Sequence, residues 1–408
     1  MQHPAPESPR LHLLAARDAK KRCDWPAIAA LAPLLPEPLD PAWLPLADEV
    51  AFALGRLARY RDAADLWRAT FQLAPTWRRA SALAYVHYEA ALVRRRPRDP
   101  DQAFSLEEAR DGFRRWVAEA LELDPQSVKD LYRLGVFEAQ VESAHDKVAL
   151  RAFLAAITAY RALPAPLRER GDLRKTHAKA LYAAGRSALR LGRVKLARRL
   201  AFACQRADAP HDHLDPMHRL DLAGRACLAN GELDHAERAF RLALDAKGPP
   251  RRDHLLVRLS EVAEARGDLP EAIRWLEAHT RPERRAAWIW RRLGDLQRAA
   301  GDLEGALSSW HAAIQKDRMG KHLTWTRLAD AHAERGELKR AERTYRKAVD
   351  FARKRWSKEH APALRGLAAV LEARGKDEPA ERIHARLRKV EPDRARRPLS
   401  SPPQEEQA

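Results

Sequence analysis

The sequence is poor in cysteine, asparagine and β-branched residues, and it contains no long apolar segment. Its three cysteines, Cys23, Cys204 and Cys227, are too few and too scattered for a disulfide framework or a zinc site, so we expect each to be a small buried hydrophobe. No stretch approaches the roughly 18 apolar residues of a membrane-spanning helix, and residues 1–22 lack the order of a secretory signal. These absences predict a cytoplasmic protein with no membrane span.

The residues that are abundant favour helix. Hydrophobic residues make up 45% of the 408 residues and charged residues 32%, so the chain has enough apolar material for a core. Alanine, leucine and arginine dominate, and all three are good helix formers. The composition therefore predicts an all-α protein.

The charge is strongly basic and unevenly distributed. The formal net charge is +18, and residues 281–397 hold 30 basic and 17 acidic side chains, which is most of the excess. Such a surface attracts nucleic acid, anionic membranes or acidic proteins without choosing among them.

A repeat is visible in the small residues. Six glycines follow one another at intervals of 34 to 39 residues: Gly192, Gly231, Gly267, Gly301, Gly336 and Gly375. An alanine stands five residues after each glycine: Ala197, Ala236, Ala272, Ala306, Ala341 and Ala380. A small residue stands seven residues before each: Gly185, Gly224, Ser260, Gly294, Ala329 and Ala368. A large side chain usually stands nine residues after: Phe240, Leu276, Trp310 and Tyr345.

These spacings predict pairs of helices. The glycine ends a first helix in a left-handed cap and permits a tight turn. The small residues allow a second helix to approach closely, and the large side chain fills the groove to the next pair. One pair cannot bury its apolar face alone, so the pairs must stack.

The pattern resembles the tetratricopeptide repeat (TPR), a helix–turn–helix unit of about 34 residues. The best match is a set of seven residues: Trp290, Leu293, Gly294, Gly301, Ala306, Trp310 and Ala313. The resemblance extends more weakly over about residues 10–392. It implies a right-handed α-solenoid of stacked antiparallel helix pairs, a TPR-like superhelix.

Within that resemblance the chain divides into five parts. We expect degenerate N-terminal capping helices in 1–40, divergent TPR-like units with enlarged loops in 41–164 and a candidate joint in 165–177. A regular six-unit array follows in 178–392, and the proline-rich and polar end, 393–408, is expected to be disordered.

First helices line the concave surface of this family, so the resemblance also implies a partner-binding groove. The groove positions carry both signs of charge: Lys179, Tyr182, Arg186, Asp221, Arg225, Glu261, Glu264, Trp288, Arg291, Asp295, Arg298 and Asp330. Among them Trp288 is expected to face the groove, whereas Trp290 packs in the core. The lysine–asparagine clamp with which some family members hold a chaperone's C-terminal carboxylate is absent, because Asn230 is the single asparagine and lies in a turn.

A basic patch is predicted on the outer face near the C-terminus. It comprises Arg340, Arg343, Lys347, Lys354, Arg386, Arg388 and Lys389. A solvated helix face explains such a patch without any function, whereas contact with phosphates or with an acidic protein would give it one.

The sequence contains no catalytic or cofactor-binding motif. The histidine-rich stretch with His211, His213 and His218 could ligate a metal, but it also suits a polar loop in which Asp215 caps a helix that begins with Pro216. The hypothesis is therefore a non-enzymatic scaffold that holds a protein or peptide partner, an acidic one included, in the groove. The alternatives are a module that binds RNA or a ribonucleoprotein through the basic face, or an accessory subunit of a bacterial envelope-polysaccharide or defence system.

Overall fold

A computed structural model describes residues 9–92, 97–142, 145–246, 253–278, 282 and 285–391. These residues form helices and turns and contain no β-strand. The chain divides into two compact units, Met1–Gly248 and Pro249–Ala408. The predicted tail, 393–408, lies outside the described residues.

The first unit contains thirteen α-helices in its described residues. They are α1 (Pro9–Lys21), α2 (Trp25–Ala29), α3 (Leu44–Arg56), α4 (Tyr60–Leu73), α5 (Trp77–Ala91), α6 (Leu106–Leu123), α7 (Val128–Gln140), α8 (Asp146–Ala162), α9 (Ala165–Arg168), α10 (Gly171–Arg190), α11 (Val194–Asp208), α12 (Pro216–Ala229) and α13 (Leu233–Asp245). The pairs α3–α4, α5–α6, α7–α8, α10–α11 and α12–α13 pack side by side. The predicted joint, 165–177, consists of α9, a short link and the first turns of α10.

The second unit contains eight α-helices in its described residues. They are α14 (Asp253–Ala265), α15 (Leu269–Ala278), α16 (Ala287–Ala299), α17 (Leu303–Lys316), α18 (Lys321–Glu334), α19 (Leu338–Trp356), α20 (Ala361–Ala373) and α21 (Asp377–Val390). They form four consecutive pairs, α14–α15 to α20–α21. The predicted all-α solenoid of stacked helix pairs is confirmed.

The six predicted cap glycines all adopt the left-handed conformation, with φ between 67° and 85°. In each turn the glycine follows a first helix and lets the chain reverse into the second. In the first unit Ala58, with φ of 60°, takes the same place between α3 and α4, and Ala63 and Trp67 stand five and nine residues after it. The repeat register therefore extends to a pair that has no glycine at this position.

The close approach of the paired helices is set by a small residue facing a large ring. A Cβ atom added at Gly224 would lie 2.5 Å from the Phe240 ring, and one added at Gly294 would lie 2.5 Å from Nε1 of Trp310. Both rings are fully buried. Replacing the small residue would push the two helices apart.

Gly294→Ala is expected to lower the free energy of unfolding by about 1–3 kcal/mol, the usual cost of overpacking. The Trp310 ring cannot move aside cheaply, because it is buried and its Nε1 donates to Asp295 at 3.1 Å. The measurement is denaturant unfolding followed by circular dichroism. Gly55→Ala is the control, since its added Cβ meets no atom closer than 3.7 Å and alanine favours the helix. Equal destabilisation by both changes would contradict this packing account.

One expectation about the cysteines is wrong. Cys204 and Cys227 are buried, but Cys23 is exposed, with φ of 58°, in the turn between α1 and α2. The turn is enforced by Asp24, which caps α2 through the N–H of Ala27 at 3.1 Å. Cys23 therefore lies in an exposed turn after α1 and is not part of the core.

No helix within the described ranges combines the length and the apolar character that crossing a bilayer requires.

Candidate functional site

A groove in the first unit is lined by four consecutive first helices, α3, α5, α7 and α10, and by two residues of α4. Its volume is about 480 Å³, within the range of ligand and peptide sites. Residues three or four apart share one face of a helix, so Trp77, Ser81 and Tyr85 of α5 all line it. Lys175 and Lys179 of α10 do the same.

The lining combines aromatic rings with an excess of positive charge. Its aromatic side chains are Phe52, Tyr60, Trp67, Trp77, Tyr85, Tyr88 and Tyr132. Its basic side chains are Arg56, Arg78, Lys129, Arg133, Lys175 and Lys179. Two acidic side chains of the lining, Glu89 and Asp172, and the buried Asp130, which pairs with Arg133, offset only part of that charge. The basic side chains would therefore attract an anionic ligand, and the aromatic rings would offer it flat apolar surfaces to pack against.

A buried carboxylate, Asp130 of α7, organises the groove. It is inaccessible to solvent. Its oxygens accept from Trp77 Nε1 at 3.1 Å, Ser81 Oγ at 2.7 Å, Ser127 Oγ at 2.6 Å and Arg133 Nη1 at 2.8 Å. Because these donors come from α5, α7 and the residue before α7, the carboxylate ties two first helices together.

The Asp130 network also sets the direction of Arg133. Its guanidinium additionally donates to Ser81 Oγ at 3.0 Å and lies 4.5 Å from the centre of the Tyr85 ring. Burial, followed by the negative charge of Glu89, raises the pKa of Tyr85, so this phenol stays protonated. The groove thus presents an arginine and a tyrosine whose positions are fixed before any ligand arrives.

In the second unit the first helices are linked by ion pairs about one repeat apart. Arg327 donates to Asp295 at 2.6 Å, across 32 residues. Arg298 pairs with Glu334 and Arg292 with Glu264, across 36 and 28 residues. Each pair joins one first helix to the next.

A family model for the tetratricopeptide repeat matches residues 323–355, which comprise most of α18 and α19. The other helix pairs with a left-handed glycine between them repeat the same register of small residues. The chain therefore contains a tetratricopeptide repeat (TPR) at residues 323–355, within a stack of similar helix pairs.

Solved structures similar to this chain share little sequence with it. MamA is 18% identical, with a TM-score of 0.36 over 46% of this chain and 99% of that chain. The C-terminal part of a TPR repeat-containing protein from Cytophaga hutchinsonii is 14% identical, with a TM-score of 0.44 over 61% and 95%. Cut9–Hcn1 of the APC/C is 14% identical, with a TM-score of 0.40 over 95% and 81%. The comparison with curated proteins finds no match.

The predicted groove residues of the first unit lie on α10 and α12. Lys179 lines the groove described above. Arg186 lies 5.7 Å from the centre of the Tyr182 ring, and Arg225 faces Asp221 at 3.8 Å. Apart from Lys179, none of these residues lines that groove.

Most predicted groove charges of the second unit have partners within the protein. Glu261 accepts from Arg258 at 2.7 Å, and Asp330 accepts from the Tyr345 hydroxyl. Asp295, Arg298 and Asp330 line one cavity of about 390 Å³. The structure thus brings these three together, but Asp295 and Arg298 already form the ion pairs between helices.

Trp288 and Arg291 stand apart from that cavity on α16. The Trp288 side chain is 40% exposed, whereas Trp290 is partly buried against the core formed by Val257, Ile289 and Leu293. Arg291 lies 3.6 Å from Asp317, and burial lowers the pKa of its guanidinium.

The predicted basic patch is partly neutralised. Arg340 donates to Glu337 at 3.0 Å and Arg386 to Glu359 at 2.6 Å. The remaining members are exposed and have no ion pair within the described residues: Arg343, Lys347, Lys354, Arg388 and Lys389.

The histidine-rich stretch forms the loop before α12. Asp215 caps the helix at the N–H of Met217, at 2.9 Å, as the sequence predicts. The His211 and His213 rings lie 5.5 Å apart. The described residues contain no group of three or more metal-ligating side chains.

The sequence prediction found Lys179 of α10 but missed the part of the groove that α3, α5 and α7 line. The prediction assigned groove positions only from α10 onward, because glycine spacing sets the register there. The sequence does contain a signal that α5 faces the groove. Four residues spaced four positions apart share one face of this helix: Trp77, Ser81, Tyr85 and Glu89.

Proposed function

We propose that this TPR protein is a non-catalytic scaffold whose first-unit groove binds an extended, anionic segment of a partner protein. One observation carries the proposal: four consecutive first helices, together with α4, line a single groove with seven aromatic and six basic side chains against two acidic ones. Arginine, tyrosine and tryptophan are the residues that dominate binding energy at protein interfaces. The three unpaired cysteines suit a reducing compartment such as the cytoplasm.

Preorganisation supports the same function. The Asp130 network holds Trp77 and Arg133 in place. A side chain that is already ordered loses less entropy when a partner binds, so more of the contact energy remains as affinity.

The double change Arg78→Glu and Lys175→Glu is expected to weaken binding of an anionic peptide at least about tenfold. Both side chains line the groove, are exposed and form no ion pair within the described residues, so the melting temperature should stay the same. The probe is a fluorescent peptide of alternating glutamate and leucine, and the readout is fluorescence anisotropy.

The control for this experiment is Arg343→Glu with Lys347→Glu, which makes the same change of charge on the outer face of α19. Equal weakening by both pairs would show that net charge, and not the groove, attracts the peptide. That result would contradict the proposal.

We propose a second, separate partner-binding surface around Trp288 in the second unit. Trp288→Ala is expected to weaken partner binding by about 2 kcal/mol with little change in melting temperature, because the side chain is 40% exposed. Trp290→Ala should instead lower the free energy of unfolding by about 3 kcal/mol, since its ring packs on the core. Thermal unfolding and binding of the natural partner measure the two effects. Equal losses of stability would refute the assignment of Trp288.

Nucleic acid is the second candidate partner. It is favoured by the five exposed basic side chains of α19 and α21 that form no ion pair within the described residues. Binding through about six phosphates would fall by about 10³-fold between 50 and 200 mM salt. Charge reversal at Arg343, Lys347 and Lys354 should then abolish it. A partner that stays bound after nuclease treatment would favour the protein-binding function.

A further inference from the structure

A second cleft of the first unit lies between α8 and α11, which are the second helices of their pairs. Its volume is about 610 Å³. None of its lining residues belongs to the groove described above. It is therefore a separate surface.

The cleft has apolar walls and an arginine rim. Leu154, Leu196 and Phe202 are partly buried and contribute apolar surface. Four arginines line it as well: Arg161, Arg198, Arg199 and Arg206. Arg198 lies 5.1 Å from the centre of the Phe202 ring and pairs with Glu232 at 2.7 Å.

The other three arginines have no hydrogen bond or ion pair in the part of the chain that the structure describes, and all three are exposed. The two helices also offer no acid that could neutralise them. Asp146, the one acid of α8, is held by Arg190 at 2.8 Å. Asp208, the one acid of α11, is fully buried and pairs with Arg219 at 2.7 Å.

We propose that this cleft is a docking site for an acidic amphipathic helix of a partner protein. The apolar walls suit the leucine-like side chains of such a helix, and the arginines suit carboxylates that flank them. Arg199 and Arg206 are seven residues apart on α11, which is about 10 Å along the helix. Two carboxylates seven residues apart on the partner helix have the same spacing.

The apolar walls favour a peptide over nucleic acid. A phosphate backbone would use the arginines but leave Leu154 and Leu196 without apolar partners. An amphipathic helix buries both kinds of surface together, and burial of apolar area is the dominant favourable contribution in protein association.

The probe is a synthetic helix-forming peptide with leucine on one face and glutamate on both flanks, labelled for fluorescence anisotropy. Arg199→Glu with Arg206→Glu in the full chain should weaken its binding about 30-fold or more. Leu154→Ser with Leu196→Ser should also weaken it. Circular dichroism should be unchanged in both variants. The melting temperature should stay the same in the arginine variant, whose two side chains are exposed, and should fall in the leucine variant, because Leu154 and Leu196 are partly buried against the core.

The matched control is Arg193→Glu with Lys195→Glu. These two residues are exposed, lie at the start of α11 and outside the cleft, and make the same change of charge. The control should keep the affinity of the unmodified chain, as should the groove variant Arg78→Glu with Lys175→Glu. If the groove variant still binds the helical peptide, then the cleft and the groove are independent binding sites, and each proposal can fail without the other.

Four outcomes would overturn the proposal. One is no binding of the peptide by the unmodified chain, and another is equal weakening by the control. A third is affinity that depends on the arginines but not on the two leucines. The fourth is equally tight binding of a poly-uridylate oligonucleotide with the same arginine dependence, which would make the cleft a nucleic-acid surface.

Discussion

Replacing Asp130 by alanine is expected to lower the free energy of unfolding of the first unit by about 3–5 kcal/mol, the usual cost of removing one partner of a buried ion pair. The carboxylate is inaccessible to solvent and accepts four hydrogen bonds. Its loss leaves the Arg133 charge and three further donors without their acceptor. Denaturant unfolding followed by circular dichroism measures the change.

The same substitution should also weaken binding of the anionic peptide in the groove. Trp77 and Arg133 lose the acceptor that orients them, so binding must then order them. Asp172→Ala is the control, because Asp172 lines the same groove but forms a more exposed ion pair with Lys129 at 2.8 Å. Its cost should be below about 1 kcal/mol. Similar stability losses at the two positions would refute the special role of Asp130.

Acidification from pH 7 towards pH 4 is expected to destabilise the protein, in part through buried histidines. Burial lowers the pKa of His87 to about 4, to which the charge of Arg68 contributes. Its ring is 5% exposed, stacks on Phe104 at 4.7 Å and has no hydrogen bond at Nδ1. Burial also lowers the pKa of His177 and of His360 to about 4.

The direction of the effect follows from proton binding. An unfolded histidine has a pKa of about 6.5, so between that pH and about 4 the unfolded chain binds a proton that the folded chain does not. The stabilising contribution is therefore complete above pH 6.5 and is lost as the pH falls towards 4. For His87 the loss amounts to about 3 kcal/mol, since each pKa unit corresponds to about 1.4 kcal/mol.

Unfolding curves of the His87→Gln variant across this pH range measure that contribution. The fall in stability between pH 6.5 and 4 should be smaller than in the unmodified protein. His211→Gln, a change at an exposed loop residue, serves as the control. A pH profile that is identical in the His87→Gln variant and the unmodified protein would contradict the prediction.

Much of the repeat architecture could be predicted from local features. Gly192 to Gly375 adopt positive φ because a tight turn between paired helices requires it, and glycine meets that requirement without steric cost. The contact between Gly294 and Trp310 was likewise predictable, because the helical period fixes which residues of a pair face each other. Ala58 shows the limit of this reasoning, since it adopts the same conformation without being glycine.

The candidate site depended on contacts that no single segment encodes. The sequence alone determined the all-α fold class and the repeat register, because helix propensity and periodicity are local properties. It also determined the sign of the net charge, which depends only on composition. Only the tertiary structure decided which charges remain available to a partner. Asp295 and Arg298 find partners about 30 residues away, and Asp130 gathers donors about 50 residues away. The position of a side chain 30 to 50 residues distant follows from how whole helices stack, which no local pattern specifies.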